Sequence, residues 1–233
     1  MSLVLSLEGN IGSGKSTFLR NLSQLEDVLG KPVVLLQEPI DIWSTIKDKN
    51  GETILEKFYK DPERYAFSFQ MMTYISRLEL LNETIKNNPH KIIICERSIW
   101  TDKHVFTQML ADDNKINEID FIIYNKWFQN LSNNIHLDGI IYVKTSPDIC
   151  KKRIELRNIP GENIPLDYLK KCDDYHIKWL NDIISIKIID GNIPCKDISH
   201  KQLKCISQFI LDIFNSKFPT NISHSDIFYK IRC

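Results

Sequence analysis

The stretch Gly9-Asn10-Ile11-Gly12-Ser13-Gly14-Lys15-Ser16-Thr17 sets three glycines ahead of Lys-Ser-Thr, between an apolar run (3–7) and a helical pattern. It fits G-x-x-x-x-G-K-[ST], in the strand-then-helix context that such a loop requires. Bare glycines let successive backbone N–H groups turn toward phosphate oxygens, and the helix start adds partial positive charge. Lys15 is then expected on the β- and γ-phosphates and the Ser16 hydroxyl on Mg²⁺. The loop by itself does not separate a kinase from an ATPase, a GTPase or a motor.

Other reactive groups fall at or just after strand ends: Glu38 after VVLLQ (33–37), and Glu96-Arg97 after KIIIC (91–95). Phosphoryl transfer to an alcohol needs a carboxylate that orients the hydroxyl and accepts its proton. Charge that builds on a transferred phosphoryl group needs a cation such as an arginine. Trp43, Phe69 and Phe106 are flat rings of the kind that line a slot for a planar ligand, or simply fill a core.

The elements that must position these groups read as an alternation. LVLSL (3–7), VVLLQ (33–37), KIIIC (91–95), GIIYV (139–143) and IKIID (186–190) are short apolar runs separated by helical stretches. Such runs predict a parallel sheet covered on both faces, hence a three-layer α/β domain with its ligands at the carboxyl ends of the strands. The longest helix is expected from about 63 to about 87, with Tyr74, Leu78, Leu81 and Ile85 as its core stripe and Gln70, Thr73 and Arg77 on a different face. The chain has 233 residues, 42% hydrophobic, with 30 acidic and 30 basic side chains. That balance disfavours a nucleic-acid polymer as partner. The six cysteines show no metal spacing and read as reduced thiols. No run reaches membrane-spanning length, so a soluble cytoplasmic protein is expected.

Three further stretches, QEPIDIW (37–43), FYKDPERYAFSFQ (58–70) and CERSIWTDKHVF (95–106), join GNIGSGKST (9–17) in a pattern that resembles the deoxyribonucleoside kinase family of deoxycytidine and deoxyguanosine kinases. The resemblance covers about residues 3–215, with 216–233 as a C-terminal extension. It implies a P-loop kinase fold with a five-stranded parallel sheet and a short lid. It implies ATP, Mg²⁺, a homodimer, and 5′-phosphorylation of a deoxynucleoside for salvage into DNA precursors. By resemblance Glu38 is the base, Glu96 holds Mg²⁺ through water together with Ser16, and Arg97 touches the 5′-oxygen and the transferred phosphoryl. Trp43, Phe69 and Phe106 sandwich the nucleobase, while Tyr59 and Asp167 bind the sugar 3′-hydroxyl. Gln70 offers a donor and an acceptor on one amide. Arg77 and Asp102 accompany use of cytosine and purine bases over thymine. Asp102 either holds Arg77 or accepts from an exocyclic amine, and it shares a face with Phe106, four residues on.

CKKRIELRNIPGENIPLDYL (150–169) resembles the lid, with Arg153 and Arg157 as its cations. The pattern departs from the family at Ile159, where a further arginine is common, and at Asp167, where glutamate is usual. DGNIPCKD (190–197) is expected to border the adenine. Two alternatives are a thymidylate kinase-like nucleoside monophosphate kinase, which shows Asp-Arg-Tyr in place of Glu-Arg-Ser (96–98), and a non-catalytic subunit of the same fold. Intact Lys15, Ser16, Glu38 and Arg97 argue against the second.

Overall fold

The computed structural model describes residues 2–159, 162–193, 199–218 and the strand at 229–231. Seven strands, β1 (Leu3–Glu8), β2 (Leu25–Val28), β3 (Lys31–Leu36), β4 (Ile92–Glu96), β5 (Gly139–Lys144), β6 (Ile186–Asp190) and β7 (Tyr229–Ile231), form one sheet in the order β6-β5-β1-β4-β3-β2-β7. The five strands expected from the apolar runs are the parallel part. The sheet then continues by two antiparallel strands that the sequence did not predict. β2 is a four-residue strand joined to β3 through Leu29 and Gly30, both at positive φ (58° and 68°). That is the backbone of a tight hairpin turn, but Leu-Gly lacks the Asn or Asp that announces one.

Helices cover both faces. On one side α1 (Lys15–Asn21) and α10 (His200–Lys217) pack Phe18, Leu19, Leu203, Ile206 and Ile210 against Leu5, Leu7 and Ile94. On the other, α4 (Pro62–Asn87) and α7 (Glu118–Ser132) bring Tyr74, Leu78, Leu81, Tyr124 and Phe128 onto Val4 and Ile93. Strands β1, β4 and most of β5 are buried throughout because apolar side chains leave both of their faces.

α4 begins cleanly: the Asp61 side chain accepts from the Arg64 N–H and Pro62 takes a first-turn position where its missing donor costs nothing. Two of its faces are buried, Tyr74-Leu78-Leu81 toward the sheet and Gln70-Thr73-Arg77 toward a cavity. α2 (Ile40–Thr45) and α3 (Ile54–Lys60) pack against α4 and line the same cavity. After β4 the chain coils through α5 (Ile99–Thr101), a π-helical turn (Asp102–Thr107) and α6 (Gln108–Asp112). α8 (Pro147–Arg157) and α9 (Leu166–Leu180) flank the lid segment, of which Pro160 and Gly161 lie outside the described residues. So do residues 194–198, which include half of the stretch expected to border an adenine. α10 carries the chain past residue 215, and most of the expected C-terminal extension also lies outside the described residues.

Candidate active site

The loop between β1 and α1 takes a shape that only glycine permits. Gly9 and Gly12 stand at φ 148° and 77°. A Cβ on Gly9 would sit 2.6 Å from the Val143 carbonyl, and one on Gly12 would sit 2.7 Å from the Cys150 carbonyl. The loop is braced from behind. The Asn10 amide donates to the Leu169 carbonyl at 2.8 Å, and Thr145 Oγ1 donates to the Ser13 carbonyl at 3.0 Å. Arg153 donates to the Ser13 and Gly191 carbonyls, both at 2.8 Å, tying α8 to the loop. Lys15 Nζ folds back to donate to the Asn10 carbonyl at 2.8 Å. Burial, then the nearby Arg97 charge, push the Lys15 ammonium down to about 8 against the pull of Glu38, Glu96 and Glu8.

The loop suits a polyphosphate. It is a concave run of backbone that no Cβ fills, and it includes a buried Ser13 hydroxyl with no partner among the described residues. Ser16 Oγ donates to Glu96 Oε1 at 2.5 Å, so a hydroxyl and a carboxylate meet at the helix start. Hard oxygen donors of this kind suit Mg²⁺, which keeps several of its waters.

Across the cavity lies the carboxylate at the end of β3. Glu38 Oε1 accepts from Arg77 Nη2 at 3.0 Å and lies 3.3 Å from Arg97 Nε. Burial alone would raise its pKa. Arg97, Arg77 and Lys15 together outweigh burial and hold the carboxyl below its ordinary value, so it is ionised at neutral pH. Arg97 itself stands at φ 61°, a left-handed backbone that a non-glycine residue adopts only when its surroundings impose it. Its N–H donates to the Leu7 carbonyl and its Nη1 to the Gly9 carbonyl, each at 3.0 Å, and its guanidinium lies 4.9 Å over the Phe106 ring.

Asp102 takes one of the two roles left open for it. Its carboxylate oxygens receive Arg77 Nε at 2.9 Å and Arg77 Nη2 at 3.4 Å, so it holds the arginine. Burial pushes Asp102 up to about 6 although Arg77 pulls the other way, while Asp102 and Glu38 outweigh the effect of burial on Arg77 and raise it. Arg77 thus links the two carboxylates. Asp102 and Phe106 both face the cavity, but from a π-wound turn rather than a regular helix. Such turns widen the helix and concentrate at functional sites.

The cavity encloses about 540 Å³ and brings together Lys15, Ser16, Thr17, Glu38, Trp43, Tyr59, Phe69, Gln70, Arg77, Glu96, Arg97, Asp102, Phe106, Arg153 and Arg157. Ile11, Gly12 and Gly14 also line it, whereas Gly9, Asn10 and Ser13 build the loop from behind. Trp43 is pinned by its indole N–H on Ser76 Oγ at 2.8 Å and meets Phe69 edge-on at 6.1 Å. Phe58 stacks behind Phe69 at 4.8 Å, so the wall is stiff.

Asp167 is the exception. Its side chain is 89% exposed, outside the cavity, and pairs with Lys170 Nζ at 3.5 Å. The reason is local: it stands in the first turn of α9, where a carboxylate complements the helix dipole from outside. Glu162, which the sequence reading passed over, lines the cavity instead at 12% exposure, chelated by Arg157. Its charge acts on the buried Tyr59 hydroxyl, which burial foremost pushes up. Tyr168 and Phe58 were also missed. The available signal was Pro165, which starts α9 and leaves Glu162 as the last acid before it.

A glycine loop with its lysine, facing an ionised carboxylate between two arginines over an aromatic slot, is the site of a P-loop phosphotransferase with a small planar acceptor. The profile of the deoxynucleoside kinase family matches residues 5–213. A probable deoxycytidine kinase of fowlpox virus is 36% identical over 223 residues, 90% of this chain and 89% of its own length. Human deoxycytidine kinase is 37% identical over 193 residues, 76% of this chain and 74% of its own. The mitochondrial deoxyguanosine kinase of Xenopus laevis is 32% identical over 195 residues, 76% and 72% of the two chains. The chain belongs to the deoxynucleoside kinase family and is a kinase of nucleosides. The monophosphate-kinase and non-catalytic alternatives are not favoured. Among the described residues no helix is long and apolar enough to cross a membrane.

Proposed function

We propose that the chain transfers the γ-phosphoryl group of ATP to the 5′-hydroxyl of a deoxynucleoside, preferring deoxycytidine, deoxyadenosine or deoxyguanosine to thymidine. The observation that carries this is Glu38, ionised and held by Arg97 and Arg77 in the same cavity as Lys15. Glu38 orients the 5′-hydroxyl and takes its proton. Arg97 meets the charge that develops at the transferred group, and the lid arginines Arg153 and Arg157 add to it. Lys15 and the loop N–H groups hold the β- and γ-phosphates. Ser16 and Glu96 would hold Mg²⁺, which neutralises phosphate charge when bound. Trp43, Phe69 and Phe106 take the base, and Gln70 its hydrogen-bonding edge. That chemistry supplies DNA precursors, and its cytoplasmic setting is proposed from cysteines that read as reduced thiols. The test is a panel: ATP and Mg²⁺ with four deoxynucleosides and the matching ribonucleosides, following 5′-monophosphate. Thymidine as the best acceptor would contradict the stated preference.

The base preference rests on the Arg77–Asp102 pair. Thymine lacks the exocyclic amine of cytosine and adds a methyl group that would desolvate this pair without compensation. An unpaired buried polar group costs about 1–3 kcal/mol, enough for roughly tenfold or more in kcat/KM. Buried Thr73, one turn before Arg77, narrows the same space. Arg77→Met with Asp102→Ala is expected to raise the thymidine-to-deoxycytidine ratio of kcat/KM. Total turnover falls as well, because Glu38 loses one of its two guanidiniums, so the ratio is the readout. An unmoved ratio means that the pair is structural.

For the sugar, Glu162 with Tyr59 takes the place first given to Asp167. Glu162→Ala is expected to raise the deoxynucleoside KM by about tenfold or more, the scale of a lost hydrogen bond to a charged group. Asp167→Ala is expected to change it by less than about twofold, as surface substitutions do. The reverse pattern would return the role to Asp167.

The homodimer is supported by an apolar stripe on α7. Ile119, Ile123, Trp127 and Leu131 stand four residues apart, at 65%, 38%, 48% and 45% exposure. Exposed apolar side chains aligned on one helix face favour an association surface. Sedimentation should give twice the mass of one chain for the wild type and a single chain for Trp127→Glu. A monomeric wild type contradicts the dimer.

A further inference from the structure

Glu8 ends β1 with no solvent exposure and is absent from the cavity lining, yet it is tied to the residues that face the cavity. Ser98 Oγ donates to Glu8 Oε1 at 2.7 Å, and Thr101 Oγ1 donates to Glu8 Oε2. Those two donors bracket the acceptor side of the site, since Ser98 directly follows Arg97 and Thr101 directly precedes Asp102. Ser98 is the N-cap of α5, but its side chain makes no capping bond; the hydroxyl that would ordinarily accept from its own helix is spent on Glu8. The neighbours of Glu8 grip the same stretch: the Leu7 carbonyl receives the Arg97 N–H, and the Gly9 carbonyl receives the Arg97 guanidinium, each at 3.0 Å.

Burying a carboxylate against two hydroxyls is a poor way to gain stability. It is a good way to impose one backbone path. Arg97 sits at φ 61°, and the chain enters a π-wound turn at Asp102, two departures from relaxed geometry within six residues. Both directions of side-chain aim depend on that path: Arg97 toward Glu38 and Phe106, Asp102 toward Arg77. We infer that Glu8 is a positioning residue, which, through Ser98 and Thr101, holds the Arg97–Asp102 turn in the geometry that faces the acceptor. The inference rests on the roles proposed above for Arg97 and Asp102. It couples the end of the phosphate-binding strand to the acceptor half of the site, so the two halves share one frame.

The test is a set of enzymes: wild type, Glu8→Ala, Ser98→Ala with Thr101→Val, the three changes combined, and Glu8→Gln. Each is assayed for kcat and for the KM of deoxynucleoside and ATP, with ATP affinity measured separately by calorimetry. Loss of position at a reacting centre is expected to lower kcat by about 10- to 10²-fold in Glu8→Ala. The hydroxyl-deleted pair should lose a similar factor. The triple variant should lose no more than the larger single loss, because all three changes cut one linkage. Glu8→Gln, which keeps an acceptor and the side-chain shape, should recover most of the rate, and ATP affinity should stay within about threefold. Losses that multiply in the triple variant overturn the inference. So does a kcat in Glu8→Ala within about twofold of wild type, or a loss confined to ATP affinity, which would place the action at the P-loop. Should Glu8→Ala not fold, the near-isosteric Ser98→Ala with Thr101→Val decides alone: unchanged kcat overturns the inference. Wild-type turnover tests the proposed reaction, whereas the ratios among variants test Glu8.

Discussion

Glu38→Gln is expected to keep the fold and the binding of nucleoside while losing at least about 10²-fold in turnover, the scale of general base catalysis. The amide preserves the size of the side chain and one oxygen for Arg77 Nη2 and Arg97 Nε. It cannot accept a proton. In the native protein the carboxyl is kept ionised because Arg97, Arg77 and Lys15 overcome its burial. The acid limb of the rate profile should therefore lie below that of an ordinary glutamate, and it should vanish in the glutamine variant. Direct titration of nucleoside separates binding from chemistry. Near-normal turnover in Glu38→Gln would remove the base from Glu38 and leave the arginines as its only functional neighbours.

Lys15→Ala is expected to lose phosphoryl transfer by about 10²–10³-fold, the usual penalty for deleting one donor that meets developing charge. The nucleoside slot should be untouched, since the Lys15 ammonium is bonded within its own loop, at the Asn10 carbonyl. The same lysine predicts a pH effect. Burial first, and Arg97 second, hold its ammonium at about 8. Because kcat/KM reports the free enzyme, kcat/KM for ATP should fall as pH rises through about 8 and Lys15 loses its charge. kcat should fall later, since bound phosphates favour the ammonium and raise its pKa. A kcat/KM flat to pH 10 would mean that the free-enzyme ammonium keeps its ordinary pKa, whereas wild-type rates in Lys15→Ala would mean that the loop is not the working phosphate site.

The parallel core was legible because its signal is composition. LVLSL, KIIIC and GIIYV are largely apolar on both faces and are separated by helical stretches, and a parallel sheet covered by helices on both sides buries both faces. α4 was legible to within a residue, since Tyr74, Leu78, Leu81 and Ile85 recur at helical spacings of four, three and four. β2 and β7 were not legible. β2 is too short to show an alternation, and its turn uses Leu29 where asparagine would have signalled a hairpin. Site residues were legible where their aim follows from strand ends, as for Glu38, Glu96 and Arg97. Asp167 stands in solvent rather than at the cavity because a side chain's aim depends on where its helix begins. One shift of the helix start sends Asp167 to solvent and leaves Glu162 at the cavity. That Asp102 grips Arg77 was likewise beyond the sequence, because it depends on how closely the π-wound turn approaches α4, which spacing along the chain does not encode.

The account stands on one transfer, from the γ-position of ATP to the 5′-oxygen of an unphosphorylated deoxynucleoside. The most direct measurement incubates the protein with γ-labelled ATP, Mg²⁺ and deoxycytidine and identifies the labelled product by mass spectrometry and its ³¹P coupling to the 5′-methylene. Labelled deoxycytidine 5′-monophosphate is expected, formed in step with ADP, and no diphosphate when deoxycytidine 5′-monophosphate is offered instead. Label appearing only on the diphosphate, or ATP consumed with no labelled nucleotide formed, would contradict it.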